Sequence, residues 1–140
     1  MTAAATLEIE NLLTRYCRAV DSKDWAAYRA MFTDDARVDY SAAGLVVGSV
    51  EDAVRYLGRH QQAISVGMHY VTNIDVTNID VTNIGATDDG DTATVIAMWF
   101  NAVTLPGSED VRFFFGRWHD DLVRTENGWR ISNLVLEVLG

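Results

Sequence analysis

The sequence predicts a single α+β domain, residues 1–140, in which a curved, mostly antiparallel sheet wraps around three N-terminal helices and leaves one end open. Three observations lead there. Apolar residues recur three and four positions apart from Ala5 to Ile64. The rest of the chain is a series of long stretches rich in Val, Thr, Ile and aromatic residues, separated by turn signals. The 140-residue length, 49% of it apolar, suits one core rather than two.

The first helix is expected over Ala5 to Val20, carried by Leu7, Ile9, Leu13, Tyr16, Cys17 and Val20, and it ends near Asp21-Ser22. A second, Asp24 to Phe32, has Trp25, Tyr28, Met31 and Phe32 as its apolar side, and Thr33-Asp34-Asp35 reads as a turn. Ala36 to Tyr40 and Leu45 to Gly48 form a short hairpin around Ser41-Ala42-Ala43-Gly44. Ser49, with Asp52 three residues on, caps a third helix that reaches about Ile64, and Gly67 breaks it. Strand structure follows from Met68. Asp88-Asp89-Gly90-Asp91, Pro106-Gly107-Ser108 and Glu126-Asn127-Gly128 turn the chain between strands at Thr92–Leu105, Val111–Thr125 and Trp129–Leu139.

Residues 71–85 read VTNID-VTNID-VTNIG, three near-identical units of five. Strand side chains alternate with a period of two, so each five-residue copy reverses which residues face inward. A straight strand through all copies cannot keep one apolar face. A tandem-repeat insertion is therefore expected within 71–85, as a bulge, a protruding hairpin end or a loop, with the flanking strand in register.

Composition narrows the function. Eleven Lys and Arg stand against twenty Asp and Glu, for a formal charge of −9. Such a surface repels phosphate backbones and anionic lipid, so neither nucleic acid nor a membrane is an expected partner. Cys17 is the only cysteine, which excludes an internal disulfide, and its apolar helical setting reads as a packed thiol. No zinc-type Cys/His spacing, Gly-rich phosphate loop, GxSxG elbow or dinucleotide fingerprint occurs, so no metal or organic cofactor is expected. His119-Asp120-Asp121 does not read as a metal site, because adjacent strand residues point to opposite faces. No positive-then-apolar leader and no apolar run of membrane-spanning length are found, which points to a cytoplasmic protein.

Four residues are candidates for catalysis. Asp21 stands where the first helix ends, a place the helix dipole makes unfavourable for a carboxylate. His69 opens the first long strand; an aspartate accepting its Nδ1–H would fix the tautomer and free Nε2 as a base. Tyr16 and Tyr40 can donate a hydrogen bond to a substrate carbonyl and stabilise an enolate. Each also has an ordinary structural reading, as a packed or turn residue. Trp25, Trp99, Asn101, Phe115 and His119 are candidates for lining a flat, apolar binding pocket.

The segments RYCRAVDSKDWAAYRAMFTDDARVDY, MHYVTN and GRWHDDLVRTENGWRI together resemble the SnoaL-like branch of the nuclear transport factor 2-like superfamily. The likeness covers nearly the whole chain apart from the repeat. It is closest to the group with scytalone dehydratase, bile acid 7α-dehydratase and hexachlorocyclohexane dehydrochlorinase. Asp21 in AVDSKDW and His69 in MHYVTN match that group's catalytic dyad. Tyr16 matches a tyrosine one turn before the aspartate in the bile acid enzyme, and Tyr40 a substrate-binding tyrosine of scytalone dehydratase. Asn101 falls where those enzymes carry a His or Asp, and His119 near a pocket Asn. The resemblance implies a cone-like α+β barrel, no cofactor and a homodimer or homotrimer.

The expected function is accordingly a cofactor-independent, dehydratase-type lyase. Its Asp/His dyad would abstract a proton from a small, largely apolar cyclic or polyketide- or steroid-like molecule. An isomerase or cyclase with the same dyad, or a non-catalytic small-molecule-binding domain, are the alternatives, since this fold serves all three.

Overall fold

The computed structural model describes residues 3–64, 66–80 and 91–140. Helix α1 (Ala3–Ser22) turns one stripe inward, and Ile9, Leu12, Leu13, Tyr16, Cys17 and Val20 are all buried on it. Helix α2 (Trp25–Ala30) starts at Asp24, whose carboxylate accepts the Ala27 N–H at 3.0 Å. Helix α3 (Val50–His60) starts on the expected capping box: Ser49 and Asp52 exchange bonds of 3.1 Å in both directions. It ends at His60, short of Ile64, and a single 3₁₀ turn, Gln61–Ala63, follows.

Among the described residues, six strands follow the helical half or are interleaved with it: β1 (Phe32–Asp39), β2 (Val47–Ser49), β3 (Val66–Asp80), β4 (Thr92–Thr104), β5 (Val111–Thr125) and β6 (Gly128–Val138). They form one sheet in the order β2-β1-β6-β5-β4-β3, antiparallel throughout except for the parallel β1–β6 pair. The sheet is curved but not closed, so β2 and β3 are its two edges. The cone-like barrel is thus an open one. Thr33-Asp34-Asp35, expected as a turn, lies inside β1. The register against β6 jumps there, with Phe32 opposite Ile131 and Arg37 opposite Asn133. The turn-forming residues fill a bulge, which keeps them in the strand.

The core lies between the helices and the inward face of this sheet. Ile9, Leu13, Val38, Leu122, Trp129 and Ile131 are among its most enclosed members. No helix among the described residues is long and apolar enough to cross a membrane.

The first two copies of the five-residue repeat belong to β3. Val71 is opposite Trp99 and Val76 is opposite Val95, so five residues of β3 span four of β4. The register slips after Thr72 and again after Thr77, the same point of each copy. Asn73 sits at the first slip with a left-handed φ of 50°, which asparagine tolerates better than most residues. One extra residue per copy cancels the reversal that an odd repeat imposes. Val71 and Val76 therefore both pack against the core. The third copy and the Asp88-Asp89-Gly90 turn lie outside the described residues.

Candidate active site

Strand β3 is an edge, so its outward N–H groups have no neighbouring strand among the described residues. The last turn of α1 fills one of these positions. The His69 backbone N–H donates to both Asp21 oxygens, at 2.9 Å and 3.2 Å. The His69 side chain reaches the same carboxylate, with Nδ1 2.6 Å from Oδ1. Two donors from β3 compensate Asp21 for its place at the negative end of a helix. An ionised Asp21 holds the ring proton on Nδ1, which leaves the Nε2 lone pair free. The imidazole is 15% exposed, so little water competes for it.

His69 opens into a cavity of about 340 Å³. Trp99, Trp118, Val103, Leu57 and Leu136 give it apolar walls. Tyr16, Tyr40, His69 and Asn101 bring polar groups to it, and His60 and Gln61 from the end of α3 add two more. Size and lining are those of a site for a small organic molecule. Among the described residues, no group of three or more His, Cys, Asp or Glu side chains is arranged to hold a metal ion.

Tyr16 and Tyr40 meet through their hydroxyls at 2.5 Å, and the Tyr28 hydroxyl joins Tyr40 at 2.8 Å. Burial pushes all three phenols well above their ordinary range, so each keeps its proton at neutral pH. Three hydroxyl protons serve two bonds, which leaves one free to donate. Tyr28 is fully enclosed and does not line the cavity, so the free proton belongs to a cavity-lining tyrosine. Asp120, on β5, lies close enough to oppose the ionisation of all three. Burial lifts its own carboxyl well above the usual range, with neighbouring Asp121 adding to the effect. Neither Tyr28 nor Asp120 stands out in the sequence as a site residue. The inward phase of Trp118 and Leu122 on the same strand is the signal that places Asp120 in the core.

Among the lining candidates, Trp99 and Asn101 reach the cavity. Phe115, His119 and Trp25 do not, which corrects the expectation for all three. On β5 the inward residues are Phe114, Gly116, Trp118 and Asp120, so the odd positions face out. Phe115 is 43% exposed there. His119 binds Glu137 on the outer face, Nε2 to Oε2 at 2.7 Å, and that bond draws the Glu137 carboxyl below its usual range, with Arg117 adding to it. Trp25 packs edge-on against Tyr28, 5.8 Å between ring centres, on the helical side of the core.

Three helices held against an open, curved sheet, with one apolar cavity between them, define the cone-like α+β class. Within that class the model of the SnoaL-like domain family matches residues 1–135, and the chain belongs to that family. The uncharacterized protein Rv2910c of Mycobacterium tuberculosis is 33% identical over 130 residues, which cover 92% of this chain and 82% of that one. The crystal structure of the Kfla4162 protein from Kribbella flavida superposes with a TM-score of 0.81 at 26% identity, over 98% of this chain and 92% of that one. The hexachlorocyclohexane dehydrochlorinase LinA-type3 from Novosphingobium barchaimii LL02 superposes with a TM-score of 0.78 at 16% identity, over 98% and 88%. That last likeness is one of fold.

Proposed function

We propose that the protein is a cofactor-independent lyase of the dehydratase type, acting on a small, largely apolar cyclic or polyketide- or steroid-like hydroxyketone. The observation that carries this reading is the His69 ring, bound at Nδ1 by Asp21 and opening into an apolar cavity. His69 Nε2 removes a proton next to the substrate carbonyl, and the C–H electron pair forms the enolate. Tyr16 or Tyr40 donates to the enolate oxygen. The enolate re-forms its carbonyl and expels the β-hydroxyl, which leaves as water with the proton from His69. The elimination named for the LinA-type3 dehydrochlorinase supports the reading, because it runs on the same fold. Return of the proton to another carbon would make the same dyad an isomerase.

The test is product analysis with cyclic hydroxyketones and steroid-like ketols. A product lighter by one water is expected from the natural chain, and none from His69→Ala. Unchanged mass with a shifted double bond would select the isomerase reading. Full turnover by His69→Ala, or tight binding without turnover, would sink the mechanism.

We read the protein further as a cytoplasmic homodimer or homotrimer. Tyr70, Phe100 and Phe115 form one cross-strand row on the outer face of the sheet, and all are exposed in the single chain. Neighbouring Phe113 stacks on Phe100, 5.4 Å between ring centres. An aromatic patch of this kind favours association. Light scattering is expected to give a multiple of the 15.5 kDa chain mass, and Phe115→Glu to lower it to the monomer. A natural chain that elutes as a monomer would contradict this.

A further inference from the structure

We propose that Asn101 is a positioning residue for His69, its carboxamide oxygen receiving the Nε2–H that the ring gains on taking up a proton. This rests on the reading of His69 as the proton acceptor. His69 and Asn101 are direct cross-strand partners on β3 and β4, and both line the cavity, so both face inward. The His69 backbone N–H points away from β4, to Asp21 at the open edge. In an antiparallel ladder that marks the pair without backbone bonds between them, where side chains lie closest. Their Cβ atoms are then about 4.5–5.5 Å apart. The imidazole is flanked by Asp21 on the edge side and by Asn101 on the inner side.

Asn101 Oδ1 is buried and has no hydrogen-bond partner among the described residues. An acceptor left so carries a cost unless some state of the protein supplies a donor. The other polar and charged groups around His69 are these. Asp21 from α1 is acidic and already engaged. Lys23, in the turn after α1, gives its ammonium to the Ile64 carbonyl at 3.1 Å. Tyr16 and Tyr40 are bonded to each other, and Tyr40 also to Tyr28, which leaves this set one hydroxyl proton, the one proposed for the substrate carbonyl. His60 stacks on Tyr56 at the end of α3, and Gln61 follows it on the rim. The donor that stands directly across the strand pair from Asn101, and that appears only on proton uptake, is His69 Nε2–H. Asparagine suits the place because it can accept this bond without competing for the proton. The ring would then be fixed at both nitrogens while charged, and the ion pair of imidazolium and enolate would be favoured over its neutral precursor.

The experiment is an NMR titration of the free protein labelled at histidine, which has three resolvable rings. Asn101→Leu is expected to lower the His69 titration midpoint by about one pH unit, the equivalent of losing one hydrogen bond to a charged group, and to leave His60 and His119 in place. In the natural chain the Nε2–H resonance of charged His69 is expected to be protected from solvent exchange, and in the variant to vanish. Asn101→Ser, smaller and too short to reach, is expected to act the same way and serves should the leucine variant misfold. A His69 midpoint that stays put in either variant, with the same Nε2–H exchange, would overturn the assignment and hand Oδ1 to a ligand. No substrate enters the measurement, so its failure is separable from failure of the lyase reading.

Discussion

Replacing Asp21 with asparagine is expected to lower kcat by about 10³–10⁴-fold with KM little changed, while the fold survives. The reason is a mismatch of donors. Asp21 accepts from two groups of the same residue, the His69 backbone N–H and ring Nδ1. Asparagine offers one oxygen and one NH₂. The backbone N–H cannot give up its proton, so the oxygen turns to it. The NH₂ then faces Nδ1, and the ring must present a lone pair there. That moves the ring proton to Nε2, the atom that has to be empty to act as a base. The nitrogen-15 shifts of the ring report this tautomer directly, before any substrate is known. Turnover of a substrate identified by product analysis reports the rate. An Nδ1–H tautomer retained in Asp21→Asn, or a loss of less than tenfold, would mean that Asp21 orients nothing that the chemistry needs.

The contact between Asp21 and His69 has a trace in the sequence, because each residue breaks a local rule. A carboxylate at a helix C-terminus and a lone histidine at the start of an apolar strand both call for a partner. The phase of β5 was not legible. Phe113, Phe114 and Phe115 put aromatic residues on both faces, so no alternation tells inside from outside, and the pocket candidates Phe115 and His119 face out. Tyr28 read as plain helix packing, because a hydroxyl pairing depends on where α2 meets β1. The repeat hid a different cue. An odd period forbids a continuous apolar face on a straight strand, yet Asn73 at the first slip takes the left-handed conformation of a bulge that restores it.

Asp120→Asn is expected to stabilise the protein at pH 8 and to have little effect at pH 4. Asp120 is 2% exposed, it points inward between Trp118 and Leu122, and its Oδ1 lacks a partner among the described residues. Burial raises its carboxyl well above the usual range. The folded chain therefore holds a proton that the unfolded chain releases above a pH of about 4. The favourable contribution is complete below that point and is lost as pH rises toward the raised folded value, by up to about 1.4 kcal/mol per pH unit. Asparagine has the same shape, stays neutral and removes this slope. Each kcal/mol recovered corresponds to roughly 2–8 °C in Tm for a domain of this size. Thermal melts of both proteins between pH 4 and pH 8 make the comparison, and parallel curves would refute it. The carboxyl carried at this cost lies near the three tyrosine hydroxyls and does not itself line the cavity. Asparagine keeps the shape of the side chain, and Asp120 does not line the cavity, so Asp120→Asn should keep turnover within about tenfold of the natural chain. The stability gain and the retained turnover together separate the cost of the charge from the use of the group.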